Sequence, residues 1–242
     1  MLEGKRVLVT GASSGIGAAT AQLCARMGAQ VVACGRDAAR LAAVVDTLDG
    51  SGHLAVAGDL TDPLARQALV DAVPPLDGAV FSAGAATLVP FRMVSQRHID
   101  AMFAVNFDAP VLLTQLLLSK KKIAAGASLV YVTAVAEHVT PNATAIYSAA
   151  KAGLTAAVRT IALEYAKQGI RANCVSPGYV DTPMLAGLQA VVSMQDKIEL
   201  TPLGPIDAAD IAGGIGFLLS PASRWISRTA LVIDGGLSLH VR

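Results

Sequence analysis

Short, nearly unbroken apolar runs rich in β-branched residues alternate along this chain with longer stretches whose apolar positions recur at helical spacing. Val7, Leu8, Val9 and Leu129, Val130, Tyr131, Val132 leave no polar face, the pattern of strands covered on both sides. The pattern predicts strands near 6–10, 30–34, 53–57, 77–82, 128–133, 171–176 and 229–234. Between them it predicts helices near 15–27, 37–48, 62–72, 95–121, 144–168 and 207–219, with Thr61, Asp62 and Pro63 as a start signal for the third. Strand and helix alternating from end to end imply an α/β fold, a doubly wound parallel seven-stranded sheet with helices on both faces. No repeat or linker rich in Gly, Ser and Pro divides the 242 residues, which are read as one domain. Pro177, Pro183, Pro202 and Pro205 mark a long excursion from the sheet, of the kind that covers a ligand. Within it, residues 184–205 carry Met184, Leu185, Leu188, Val191, Val192 and Met194, which read either as an apolar lid over a substrate or as ordinary helix packing.

Composition narrows the picture mostly by exclusion. Apolar residues make up 53% of the chain and charged ones 15%, so a large core is expected. The formal charge of +1 gives no long-range field that selects nucleic acid or an anionic membrane. The run Lys120, Lys121, Lys122 falls at a helix end, where cations complement exposed carbonyls. Cys24, Cys34 and Cys174 lack metal-ligand spacing and disulfide density, which suits reduced thiols in a cytoplasm. The apolar run that ends at Gly11 is too brief for a secretory core, and no stretch reaches ~18 uninterrupted apolar residues. A soluble, cytoplasmic protein is expected, with no metal, nucleic acid or membrane partner.

Candidate chemistry begins directly after the first strand, with Thr10, Gly11, Ala12, Ser13, Ser14, Gly15, Ile16, Gly17 opening the first helix. Glycines there let the backbone turn sharply toward a pyrophosphate, whose charge the helix N-terminus stabilises; a tight turn without ligand is the alternative. At the end of the second strand, Gly35 replaces the acidic residue that would bind a free ribose hydroxyl. Arg36 offers a planar cation to a 2′-phosphate, which favours NADP over NAD, although Asp37 follows at once and could take the ribose. Asp59, with Leu60 after it, is placed either to accept from an adenine amino group or to cap the next helix.

Tyr147 and Lys151, four apart in a helical stretch, share one face. A phenol with an ordinary pKa near ~10 is a poor base, and a nearby ammonium favours its phenolate. Together with the glycine loop, this pair resembles the single-domain short-chain dehydrogenase/reductase family, including its 3-oxoacyl-ACP reductase-like carbonyl reductases, over about residues 4 to 237. The resemblance implies a Rossmann-like fold, a nicotinamide cofactor and a carbonyl or alcohol substrate. Ser82, Ala83, Gly84 look like the family's Asn-Ala-Gly, and Asn106 matches the Asn that holds a water of its proton relay. Pro177, Gly178, Tyr179, Val180, Asp181, Thr182, Pro183, Met184 match its nicotinamide-side segment, where Val180 main chain and Thr182 contact the carboxamide. Asp234, Gly235, Gly236 match its closing strand, and its habit of assembling through long central helices implies a homotetramer or homodimer.

One departure stands out. The family's catalytic Ser lies thirteen residues before the Tyr, and here that position is Ala134, preceded by Thr133. Alanine cannot polarise a carbonyl, a role in which one lost donor costs ~3 kcal/mol. Either a bulge lets Thr133 supply the hydroxyl, against the alternation of a strand, or Tyr147 acts alone or with His138, Asn142 or Thr144. The third alternative is an NADP-binding scaffold or sensor without catalysis. His53, His98 and His240 show no metal spacing.

Overall fold

The computed structural model describes residues 1–189 and 198–239, so Val191, Val192, Met194 and His240 lie outside the described residues. The strands are β1 (Arg6–Thr10), β2 (Gln30–Gly35), β3 (Leu54–Ala57), β4 (Leu76–Phe81), β5 (Ile123–Val132), β6 (Arg171–Pro177) and β7 (Ala230–Ile233). All pair in parallel, in the order β3-β2-β1-β4-β5-β6-β7. The helices are α1 (Gly15–Arg26), α2 (Ala38–Val45), α3 (Pro63–Ala72), α4 (Gln96–Phe103), α5 (Ala109–Ser119), α6 (Ala136–Val139), α7 (Ala145–Glu164), α8 (Pro183–Gln189) and α9 (Ala208–Leu219).

Alternation along each strand divides the core in two. Val7, Val9, Val31, Val130 and Val175 pack with Ala21 and Cys24 of α1 and Ile211 and Ile215 of α9. Leu8, Val32, Leu129 and Cys174 face the other way, against Leu69 of α3, Leu113 and Leu117 of α5 and Leu154 of α7. Each Val, Leu and Ile among them contributes roughly 1.5–3 kcal/mol by leaving water. Burial on both faces is why these strands need no polar positions.

Three elements differ from the sequence expectation. The predicted helix 95–121 is continuous but holds a π turn over Ala104–Asp108 between α4 and α5. One extra residue in the turn re-aims the side chains around it, and Asn106 sits inside it. Over Gln96–Ser119 this helix is long and apolar enough to cross a membrane by length and composition; here it packs Ala109, Leu113 and Leu117 against the sheet. β5 starts five residues earlier than predicted, at Ile123, because Ile123 pairs with Leu76 before the chain bends through Gly126 at φ +78°. The short helix α6 was not predicted, since four residues carry no readable periodicity.

The strand order reverses between β1 and β4, so the loops that leave their carboxyl ends part there. Thr10 fastens the fork: its hydroxyl oxygen accepts from the main-chain N–H groups of Ser82 (3.1 Å) and Ala83 (3.2 Å).

Candidate active site

A cleft of about 790 Å³ opens along this switch point, and it is lined by the glycine loop, Arg36, Asp59, Leu60, Ala83, Gly84, Asn106, Thr133, Tyr147, Lys151, Pro177, Gly178, Val180 and Thr182, all expected from the sequence. Lining shows proximity to the cleft and leaves each residue's role to its own geometry.

The glycine loop forms one end. Gly11 (φ +69°) and Gly15 (φ +53°) hold left-handed conformations that side chains rarely adopt. A Cβ on Gly17 would meet the Gly11 carbonyl oxygen at 2.2 Å, so the loop closes only with glycine there. Ser14, at the N-cap of α1, makes no side-chain cap, which leaves the first-turn N–H groups for an anion. These features fit a dinucleotide's pyrophosphate. The segment after β6 returns against the same loop: Thr182 Cγ2 stands 3.1 Å from where a Gly15 Cβ would be, and Asp181 N–H donates to Ile206 O at 2.9 Å.

At the end of β2, Arg36 is exposed on the cleft wall. Asp37 is committed elsewhere: it caps α2 by accepting from Arg40 N–H (3.0 Å) and pairs with Arg40 Nε (2.6 Å). Those contacts, the Arg40 main-chain bond first, hold its carboxyl below the usual range. Arg40 also lines the cleft, a second cation that the sequence reading passed over. Asp59 does not cap α3, which is capped by Asp62. Its Oδ1 accepts from Thr61 N–H (2.9 Å) and Thr61 Oγ1 (2.8 Å), and the first of these lowers its pKa most among the favourable contacts.

Tyr147 and Lys151 project from the first two turns of α7, with Lys151 Nζ 5.8 Å from the centre of the Tyr147 ring. Lys151 is buried and donates to the main-chain oxygen of Val132 at 2.9 Å. Burial pulls its pKa down to about 8, against the opposing influence of Cys174 and Glu137. The Tyr147 phenol is pushed up to about 12, by burial first and Glu137 second. Desolvation and the Glu137 carboxylate thus set the direction, opposite to the lowering expected from Lys151.

Asn106 is fully buried and spends its amide on the turn after β4. Its Nδ2 donates to Ala85 O (2.9 Å) and Met102 O (3.0 Å), while Oδ1 accepts from Ala85 N–H (3.3 Å). Gly84 makes room for this: a Cβ there would lie 3.0 Å from Asn106 Oδ1 and 3.5 Å from Lys151 Nζ.

The Ala134 methyl group lies in the cleft wall. No bulge rotates Thr133 into its place: Thr133 Oγ1 lies 2.7 Å from Ser176 Oγ and 3.2 Å from Val175 O, with its hydroxyl on the β6 side. The hydroxyl expected as a substitute donor is therefore turned toward the neighbouring strand. Thr144 is likewise committed, donating to Pro141 O (2.5 Å) beside Ser148 Oγ (3.0 Å), whereas Asn142 lines the cleft. His138 stands off the cleft with Nε2 3.2 Å from Glu137 Oε1. Glu137 was also missed from sequence; it lies behind the cleft wall, its carboxylate buried among hydroxyls that come from 18 and 39 residues away. His53 and His98 serve local structure, accepting from Val31 N–H and Ser95 N–H. Among the described residues no three His, Cys, Asp or Glu side chains cluster as a metal site.

Comparison with known proteins gives the same outline. A family model described as enoyl-(acyl carrier protein) reductase matches residues 11–238. D-erythrulose reductase of Gallus gallus is 34% identical over 239 residues, covering 96% of this chain and 95% of its own. Among solved structures, a protein described as a short chain dehydrogenase/reductase family protein superposes with a TM-score of 0.86 at 31% identity, covering 98% of this chain and 99% of its own. The angucycline C-6 ketoreductase LanV with bound NADP superposes with a TM-score of 0.92 at 27% identity, covering 98% and 97%.

Proposed function

This chain belongs to the short-chain dehydrogenase/reductase family, and from that premise we propose that it is an NADP(H)-dependent oxidoreductase interconverting a carbonyl compound and an alcohol, with Tyr147 as the acid/base. The observation that carries the reading is the convergence of Tyr147, Lys151 and Asn106 on the cleft whose far end is the glycine loop. The relative that reduces D-erythrulose and the neighbour that holds NADP support it.

When bound, the nicotinamide cofactor supplies or accepts hydride. The chain's residues do the rest. Free N–H groups at the start of α1 would hold the pyrophosphate, and Arg36, with Asp37 already engaged, would hold a 2′-phosphate rather than leave a ribose hydroxyl to a carboxylate. Lys151 has donors left beyond its bond to Val132 O and would hold the nicotinamide ribose. With its pKa near 12, Tyr147 is protonated at neutral pH, the state needed to donate to a carbonyl oxygen as that carbon gains hydride. Oxidation reverses the step, with Tyr147 accepting the alcohol proton. Asn106 keeps the Gly84–Ala85 turn fixed beside Lys151, where a water chain would resupply the proton.

Met184, Leu185 and Leu188 of α8 close the substrate end and suit an apolar carbonyl compound. Exposed Leu112 on α5 and Leu163 on α7 suit assembly of a homotetramer or homodimer through the long central helices. A second reading follows from Ala134: a chain without that hydroxyl binds NADP as a regulatory or scaffold protein. Purified protein mixed with NADPH and a panel of ketones, aldehydes and ketoacyl thioesters separates the two. Loss of nicotinamide absorbance with any of them supports the enzyme; tight NADPH binding without turnover across the panel supports the sensor.

A further inference from the structure

Glu137 is the second residue of α6, on the connection between the strand end that carries Ala134 and the helix that carries Tyr147. Its side chain is only 2% exposed. Both carboxylate oxygens accept hydrogen bonds: Oε2 from Thr155 Oγ1 of α7 at 2.5 Å, and Oε1 from Ser176 Oγ of β6 at 3.0 Å. Ser176 spends its one proton on Glu137, so in the 2.7 Å contact with Thr133 Oγ1 it can only accept, and the single Thr133 proton has Ser176 Oγ and Val175 O as its two acceptors. A row of hydroxyls thus converges on one buried anion.

A buried carboxylate served by neutral hydroxyls still calls for a positive charge nearby. Thr155 lies four residues after Lys151 on α7, so the oxygen that Thr155 touches abuts the helix face from which Lys151 enters the core. Lys151 is equally buried and has the Val132 carbonyl as its hydrogen-bond acceptor. The other ionisable groups around Glu137 are His138 on its own helix, Tyr147 on α7 and Cys174 on β6, with Arg159 farther along α7 acting on Cys174. His138 is half exposed at the rim. Burial pushes the Cys174 thiol up to about 12, so it is neutral at ordinary pH and leaves the carboxylate as the charge that Lys151 feels.

We propose that Glu137 is a positioning residue for the Tyr147–Lys151 pair, the buried counter-charge that keeps Lys151 an ammonium while its bonds to Thr155 and Ser176 lock the segment bearing Ala134 against α7 and β6. The proposal rests on the reading of Tyr147 and Lys151 as the reacting pair. Its electrostatic influence strengthens the hold of both members of that pair on their protons. The anion favours the charged amine and disfavours the phenolate, so it holds both protons in place until a bound cofactor and substrate change the surroundings.

The test needs no substrate. Protein labelled with ¹³C at lysine Cε is titrated without cofactor, the Lys151 signal being identified by its loss in Lys151→Met. In Glu137→Gln, which keeps the shape and removes the charge, Lys151 is expected to titrate lower than in the wild type by about one pH unit or more, a tenfold change. Glu137→Asp, which retains the charge, should sit closer to the wild type than Gln does. An unmoved Lys151 titration in folded Glu137→Gln overturns the proposal. If Glu137→Gln does not fold, Glu137→Asp carries the test: the shorter side chain draws the carboxylate back from Thr155, and the Lys151 titration should fall below that of the wild type by a smaller step. An unmoved Lys151 titration there overturns the proposal as well. Intact turnover with an unmoved Lys151 would defeat the counter-charge alone, whereas a shifted Lys151 in a protein that never turns over would defeat the oxidoreductase reading alone.

Discussion

Lys151 Nζ donates to the main-chain oxygen of Val132 at 2.9 Å, tying the helix of Tyr147 to the strand end that precedes Ala134. The same bond keeps the ammonium at the base of the cleft, in a site dry enough to lower its pKa to about 8. For a lysine lowered in this way, the folded chain gives up its proton before the unfolded chain does. Stability therefore gains from rising pH between about 8 and the ordinary 10.5, and the burial cost is fully present below 8.

The cofactor shares that linkage. Ribose hydroxyls that accept from the ammonium favour the protonated form, so NADPH affinity should fall as pH rises above about 8, by about tenfold if binding raises this pKa by about one unit. Calorimetric titration at several pH values checks it, with Lys151→Met expected to flatten the dependence. An affinity that is level from pH 7 to 9.5 in the wild type contradicts the assignment of Lys151 to the ribose.

On the proposed reading Arg36 would set the cofactor preference, since Asp37 is held by Arg40. In Arg36→Leu, NADPH should bind about tenfold or more weakly while NADH binding changes little, as expected for one charge-assisted contact worth about 1.5–3 kcal/mol. Equal losses for both cofactors would mean that Arg36 touches something other than the 2′-phosphate.

Ala134 and Thr133 divide the roles that a serine would join. Ala134→Ser places a hydroxyl in the cleft wall and should preserve or raise kcat, by as much as ~3 kcal/mol of transition-state stabilisation where the missing donor limits the rate. A large loss would show that the small side chain is needed there.

Thr133→Val should act on the fold instead. Its hydroxyl serves Ser176 and Val175, so removing it should cost about 1 kcal/mol or more in urea unfolding and leave kcat within a fewfold. A selective collapse of kcat with unchanged stability would return Thr133 to the reaction.

These particular residues also show what a sequence discloses. Val7 to Val9 and Leu129 to Val132 declare buried strands because a surface strand would alternate with polar positions. The glycine loop was equally readable, since the steric reason for Gly17 is local, although Gly11 is also pressed by Ser82 and Ala83 from beyond β4. Asn106 was readable by resemblance, but the π turn that aims it was not: no composition signal marks one extra residue in a helix. Glu137 had a faint signal, an acid amid Val135, Ala136 and Val139. What gives it meaning, Thr155 and Ser176, comes from other elements and is brought near only by the sheet order. The raised pKa of Tyr147 was hidden for the same reason, because desolvation belongs to the packed fold and the four-residue spacing to Lys151 reveals only a neighbour.

The central claim is that the phenol of residue 147 carries the proton, and Tyr147→Phe tests it with the least disturbance. With a substrate found by the NADPH panel, kcat should drop by about 10²- to 10⁴-fold while the NADPH dissociation constant stays within about twofold. Turnover retained in the Phe variant at near wild-type rate would contradict the account.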